Sequence, residues 1–204
     1  MVGGPGLIYL LRHGEVEGAE TRRFIGHLDV PLSALGVRQC AAQAARLAGA
    51  GLAAVFCSDL ARSRRSAEII GEPHGLIPTV VPALREMAMG RWDGLTAAEI
   101  RAREPEAFAG WMARVGEFPF PEGESVPDLL ARAAPAFDAI VAAHTGRPIA
   151  IVAHGGTNRA LLCRALGLPL GRLLAFGQDY GALSVLEARA GGCVLRRLNE
   201  RPML

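Results

Sequence analysis

The chain contains no lysine: all 22 basic residues among its 204 are arginine. A P-loop, which requires its lysine, is therefore excluded, and any phosphate site must use arginine, histidine or backbone N–H groups. A charge excess of either sign is also missing. The 22 basic and 20 acidic residues leave a formal net charge of +2, which makes no electrostatic case for a nucleic-acid partner. The four cysteines, Cys40, Cys57, Cys163 and Cys193, lack metal-ligand or redox spacing and read as small apolar residues of a reducing compartment. Long hydrophobic runs are absent too. The uncharged stretch from Leu47 to Ser58 is too short and too glycine-rich to span a membrane. Met1-Val2-Gly3-Gly4-Pro5 has neither the basic nor the apolar region of a signal peptide, so a cytoplasmic location without membrane contact is expected.

What is present alternates between two periodicities. Leu7-Ile8-Tyr9-Leu10-Leu11 is a short apolar run of the kind that forms a buried strand. After a polar loop, Ser33 precedes Val37, Cys40, Ala41, Ala44, Leu47 and Ala48, spaced as one face of a helix and closed by Gly49 and Gly51. Ala53 to Cys57 reads as a second strand, Arg62 to Ile70 as a second helix, and Thr79-Val80-Val81 as a short third strand. Thr96-Ala97-Ala98-Glu99 has the spacing of a capping box and starts a helix. A long helix ends near His144, with Leu130, Ala133, Ala134, Phe137, Ile140 and Val141 inward. Pro148 to Val152 is a fourth strand and Thr157 to Leu166 a further helix. Leu183 to Glu187 and Val194 to Leu198 flank Ala190-Gly191-Gly192 as a closing hairpin. This order predicts an α/β fold with a mostly parallel sheet covered on both faces. The chain reads as one domain, 1–204, and its longest excursion between strands, about 85–127, is the expected lid.

Chemistry-bearing residues follow the strands. Arg12-His13-Gly14-Glu15 comes after the first, Ser58-Asp59-Leu60-Ala61-Arg62 after the second, Arg85-Glu86 after the third and His154-Gly155-Gly156 after the fourth. The carboxyl ends of parallel strands share one edge, where ligands bind, so these residues should meet in one pocket. Guanidinium forks suit a dianionic phosphate. Glycine lets the backbone come close, and helices starting nearby present free N–H groups. A histidine crowded by arginines is expected to be neutral and nucleophilic near neutral pH. A carboxylic acid can donate a proton and then take one back. Phosphoryl transfer needs this combination of charge neutralisation, nucleophile and proton donor.

Six blocks in order carry a family resemblance. They are Leu11-Arg12-His13-Gly14-Glu15, Gly26-His27-Leu28-Asp29-Val30-Pro31-Leu32-Ser33, the segment Ser58 to Glu68, Leu84-Arg85-Glu86 through Gly94, Gly123-Glu124-Ser125 and Ala153-His154-Gly155-Gly156. The chain thereby resembles the histidine phosphatase, or phosphoglycerate mutase-like, superfamily. The resemblance implies that His13 becomes phosphohistidine and that Arg12, Arg62 and His154 bind phosphoryl oxygens. It places Gly26 and Gly155 in the substrate site and makes Glu86 the proton donor and then the base. It implies no metal and no cofactor. It also implies a three-layer α/β/α sandwich with an antiparallel edge strand.

Within the superfamily, Leu84-Arg85-Glu86 with Gly90-Arg91-Trp92-Asp93-Gly94, and Pro121-Glu122-Gly123-Glu124-Ser125, look most like the α-ribazole phosphatase type. The expected function is hydrolysis of a small-molecule phosphate ester, α-ribazole 5'-phosphate being one candidate, by a monomer or homodimer. One alternative is a cofactor-dependent phosphoglycerate mutase, whose longer chains carry insertions that keep water from the phosphoenzyme. Another is a non-catalytic phosphate-binding member, against which the intact His13, Arg12, Arg62, Glu86 and His154 set argues. Met87, Met89, Trp92, Trp111, Phe118 and Phe120 are expected mostly to pack the lid. Trp92 and Phe120 are expected among those that wall a flat leaving group.

Overall fold

The strand Ile149–Ala153 is buried at all five positions, as the middle of a sheet covered on both faces must be. The computed structural model describes residues 6–189 and 191–204; the expectations for Met1 to Pro5 and for Ala190 lie outside the described residues. In chain order the elements are β1 (Gly6–Arg12), α1 (Ala34–Leu47), β2 (Ala54–Cys57), α2 (Ala61–Gly71), β3 (Thr79–Val80), α3 (Ala97–Arg103), α4 (Pro105–Ala113), α5 (Val126–Ala143), β4 (Ile149–Ala153), α6 (Gly155–Ala165), β5 (Leu183–Arg189) and β6 (Gly192–Glu200). One six-stranded sheet has the order β3-β2-β4-β1-β5-β6. The first four of these strands pair in parallel, and β5 and β6 add an antiparallel edge.

Alternation along the strands sorts the core into two layers. Ile149 and Ile151 face one side with Ile8, Leu10 and Phe56, against Ala133, Phe137 and Ile140 of α5 and Ala160 to Cys163 of α6. Ala150 and Val152 face the other with Leu11, Val55 and Cys57, against Cys40, Ala44 and Leu47 of α1 and Ala67, Ile69 and Ile70 of α2. The result is the expected three-layer α/β/α sandwich. Among the described residues no helix is long and apolar enough to cross a membrane.

Three local expectations need correction. Helix α1 is turned from the predicted stripe: Gly36, Cys40, Gln43, Ala44 and Leu47 are buried, while Val37, Ala41 and Ala48 are exposed. Polar contacts set this rotation. The Gln43 amide donates to the carbonyls of Gly181 (3.0 Å) and Glu200 (3.1 Å). Gly36 packs on the loop after β1, where a Cβ would fall 2.0 Å from the Glu15 carbonyl oxygen. Second, β3 is only two exposed residues long, so Glu86 is not presented directly by a strand end. Third, α4 was not foreseen. Proline at its first position favours it, but it has no fully buried residue and hence no readable stripe.

The excursion between β3 and β4 extends the core. Trp92 is fully buried, its ring centroid 5.3 Å from Phe120, 5.7 Å from Phe118, 6.1 Å from Phe24 and 6.1 Å from Trp111. The Phe118 ring is stacked on Trp92 and the other three meet it edge-to-face, and these contacts fix the excursion against the sandwich. Trp92 and Phe118 are therefore packing residues, and the expected ligand wall loses Trp92.

Candidate active site

Strand register brings the two histidines together. Arg12 pairs with Ala153 across β1 and β4, so the next residues, His13 and His154, leave the sheet side by side. The His13 N–H donates to the Ala153 carbonyl at 3.0 Å, and the two imidazole centroids are 5.1 Å apart. Cys57 pairs with Val152, which carries Ser58 to the same edge, with its Oγ 2.7 Å from His154 Nε2. The loop after β1 can turn this tightly because Gly14 and Gly36 face each other. A Cβ on Gly14 would fall 2.4 Å from the Gly36 carbonyl oxygen.

His13 Nδ1 lies 2.8 Å from the Gly14 carbonyl oxygen. A carbonyl only accepts, so Nδ1 carries the proton and the lone pair of the neutral ring resides on Nε2. Arginines surround it. Arg12 Nη1 donates to the Gln178 carbonyl (2.5 Å), and its guanidinium carbon lies 3.7 Å from the Tyr180 ring centroid. Arg62 is fully buried, with Nη1 on the Leu28 carbonyl (2.6 Å) and Nη2 on the Gly26 carbonyl (2.8 Å). Three buried nitrogens of this group, Arg12 Nε, Arg62 Nε and His154 Nδ1, have no protein partner. Leaving a buried donor unpaired costs about 1–3 kcal/mol, and the two arginine Nε groups are such donors, which makes this cluster a candidate contact for an acceptor-rich ligand.

Burial pushes the His13 imidazole well below the ordinary value of 6.5, and Arg12 and Arg62 push it further. His154 is pushed down by burial first, then by His13 and the same two arginines. Both rings are thus neutral near neutral pH. The unfolded chain would protonate them near 6.5, so below that value it takes up more protons than the folded one. Stability from this source is present above 6.5 and lost as pH falls through the depressed folded values. Urea unfolding at about pH 7.5 and about pH 5.5 should show the decline, and His154→Asn should remove part of it. An unchanged pH slope in that variant would contradict the burial of a neutral His154.

Glu86 is positioned by helix α6 and by an arginine behind it. Its Oε2 accepts from the Gly156 N–H (2.9 Å), and its Oε1 accepts from the N–H groups of Thr157 (3.0 Å) and Met87 (2.9 Å). These include two N–H groups of the first turn of α6, the end that favours an acceptor. Gly156 is needed for this approach, since a Cβ there would lie 2.6 Å from Glu86 Oε1. Arg132 of α5 ties the backbone before the carboxylate. It donates to the carbonyls of Ala83 (2.8 Å), Arg85 (2.9 Å) and Glu86 (2.8 Å) and clasps both oxygens of Glu124. His27 Nε2 adds a bond to the Glu86 carbonyl at 2.8 Å.

A pocket of about 290 Å³ opens over this group. Arg12, His13, Arg62, Glu86 and Gly155 line it; His154 does not, being fully buried with its ring against that of His13. Gly26 does not line it: its N–H is held by Asp93 Oδ1 (2.6 Å) and its carbonyl by Arg62, so it acts by placing Arg62. The apolar wall comes from Met87, Met89, Trp111, Phe120 and Leu173. Sequence reasoning missed several lining residues, the polar Tyr180 and Arg159 among them. Tyr180 sits in the connection before β5, which has no recognisable pattern. Arg159 stands four residues after Gly155, and helical spacing from that glycine could have found it.

The family model described as "Histidine phosphatase superfamily (branch 1)" matches residues 8–201. A Mycobacterium tuberculosis protein named as a bifunctional protein is 36% identical over 197 residues, covering 96% of this chain and 54% of that protein. The chain thus spans about half the length of the mycobacterial curated relatives it matches. A mycobacterial glucosyl-3-phosphoglycerate phosphatase solved with VO3 aligns with a TM-score of 0.87 at 34% identity, covering 96% of this chain and 99% of that one. The α-ribazole phosphatase of Shigella flexneri aligns with a TM-score of 0.87 at 25% identity, covering 97% of this chain and 98% of that one.

Proposed function

The chain belongs to the histidine phosphatase superfamily, branch 1, and from that premise we propose that it is a phosphomonoesterase working through a phosphohistidine on His13. The observation that carries this reading is the His13 Nδ1 contact with the Gly14 carbonyl, which leaves Nε2 as the nucleophilic nitrogen. In the first step the Nε2 lone pair forms a bond to phosphorus and the ester P–O bond breaks. Glu86, in its acid form, gives its proton to the departing oxygen. In the second step water attacks phosphorus, the P–N bond breaks, and Glu86 takes the proton from the water. The free nitrogens of Arg12, Arg62 and His154 bind the phosphoryl oxygens as charge shifts onto them, with the Gly155 backbone beside them.

The leaving group would rest on the apolar wall. Trp111 and Phe120 with Met87 and Met89 suit a flat group, and the blocks at 84–94 and 121–125 support α-ribazole 5'-phosphate as one candidate. The likeness to the glucosyl-3-phosphoglycerate phosphatase supports a second, which differs in carrying a carboxylate. A phosphate-release screen tests the reading. It should contain p-nitrophenyl phosphate, α-ribazole 5'-phosphate and 3-phosphoglycerate, the last also assayed with trace 2,3-bisphosphoglycerate. Release of inorganic phosphate is the expected result. Isomerisation of 3-phosphoglycerate without net release would favour a mutase, and no turnover of any ester would reject catalysis.

A further inference from the structure

Ser58 is fully buried at the sheet edge, and its hydroxyl has two polar neighbours among the described residues. These are His154 Nε2 at 2.7 Å and the Leu60 N–H at 3.3 Å. The Leu60 N–H can only donate to Oγ, so it cannot take the hydroxyl proton. That proton has one place to go, the lone pair of His154 Nε2. Solvent offers no alternative at a fully buried position, and a buried O–H without an acceptor is costly. Ser58 is itself held from behind. Its N–H donates to Ser63 Oγ (3.0 Å), and the Ser63 hydroxyl donates to the Val152 carbonyl (2.7 Å). Helix α2 and the end of β4 thereby hold the hydroxyl and the imidazole in one frame.

A ring nitrogen that accepts carries no proton, so the single proton of the neutral His154 ring sits on Nδ1. Nδ1 is also the ring nitrogen without a protein partner. With the proton on Nε2 instead, the free nitrogen would present a lone pair, which repels phosphoryl oxygens. His13 shows the converse arrangement: the Gly14 carbonyl takes its Nδ1 proton and leaves a lone pair free on Nε2. A carbonyl behind one ring and a hydroxyl behind the other thus give adjacent imidazoles opposite free ends. His13 keeps a lone pair that can attack phosphorus, and His154 keeps an N–H that can meet an oxygen.

We propose that Ser58 is a positioning residue that sets the tautomer of His154, so that the imidazole offers an N–H at Nδ1 to the phosphoryl group. The phosphoryl contact rests on the phosphomonoesterase reading; the tautomer does not. Ser58 touches no substrate and acts through His154 alone.

Nitrogen NMR of the protein carrying isotope-labelled histidine tests the assignment near neutral pH, because a ring nitrogen with a proton and one without resonate far apart. His154→Ala identifies the His154 signals by their loss. The wild type should show His154 protonated at Nδ1 and bare at Nε2. Ser58→Ala should draw the two signals together as the ring exchanges between tautomers. The same variant should bind inorganic phosphate about 3- to 10-fold more weakly by calorimetry. Its kcat/KM should fall by one common factor on p-nitrophenyl phosphate and on an alkyl phosphate, since phosphoryl binding serves both leaving groups. Ser58→Cys should recover part of the loss, because a thiol is a weak donor. In a His154→Ala background, Ser58→Ala should weaken phosphate binding no further. A proton on His154 Nε2 in the wild type overturns the proposal, whether or not any Ser58 variant folds. Equal losses from Ser58→Ala with and without His154 overturn it as well, since Ser58 would then act on structure at large. A wild type with the expected tautomer that turns over no ester would reject the phosphomonoesterase reading, and with it the phosphoryl contact, while the role of Ser58 in setting the tautomer would stand.

Discussion

His13→Ala is expected to lower turnover of p-nitrophenyl phosphate by at least ~10⁴-fold while inorganic phosphate still binds. The separation of the two effects follows from the geometry. In the proposed mechanism the neutral imidazole contributes the bond-forming nitrogen and Arg12, Arg62 and His154 hold the anion; the anchors of these three do not pass through the His13 side chain. Arg12 is fixed by the Gln178 carbonyl and the Tyr180 ring, and Arg62 by the carbonyls of Leu28 and Gly26. The variant loses one hydrogen bond, from Nδ1 to the Gly14 carbonyl, so its structural cost is small beside the catalytic one. Quenching wild-type turnover of a labelled ester should trap acid-labile, base-stable label on His13, and the variant should trap none. Label on serine or aspartate, or near-wild-type turnover in His13→Ala, would sink the phosphohistidine mechanism.

Glu86→Gln should cost about 10²–10⁴-fold on an alkyl phosphate, whose leaving oxygen needs a proton, and much less on p-nitrophenyl phosphate. The structure sharpens how this must be measured. Each carboxylate oxygen faces at least one N–H group, so the glutamine amide nitrogen must meet a donor at either place. Some loss of stability, about 1–3 kcal/mol, is therefore expected together with the loss of the proton. A folding defect lowers the rate on both esters by one factor. Loss of the acid changes their ratio. Comparing the two leaving groups in one preparation separates the effects, and equal losses on both would remove Glu86 from the proton-transfer role.

Different physical signals made the fold and the site legible to different degrees. Apolar runs and helical stripes marked β1, β2, β4, α2 and α5, because burial between two layers demands continuous or periodic hydrophobicity. The Thr96–Glu99 capping box is present, since its chemistry is local: Thr96 Oγ1 accepts from the Glu99 N–H while Glu99 accepts from the Thr96 N–H. The rotation of α1 was not legible. It depends on Gln43 reaching Gly181 and Glu200, residues far away in the chain. Trp92 misled for a similar reason: an aromatic residue near a catalytic block can wall a pocket or fill a core, and its five ring partners decide for the core.

By itself the amino-acid order determined which groups were available and which sheet edge they would share. The absence of lysine, the post-strand positions of His13, Ser58 and His154, and the paired glycines all follow from composition and strand succession. Tertiary structure alone decided how those groups are aimed and charged. The register Arg12 to Ala153 set the histidines side by side, a carbonyl of the adjoining residue chose the His13 tautomer, and burial beside two guanidiniums kept the ring neutral. It also put Glu86 on the first turn of α6, 70 residues away in sequence, and left Arg159 without an acid partner among the described residues. Hydrogen-bond direction and desolvation depend on what packs around a group in space, and neighbours distant in the chain supply most of that packing.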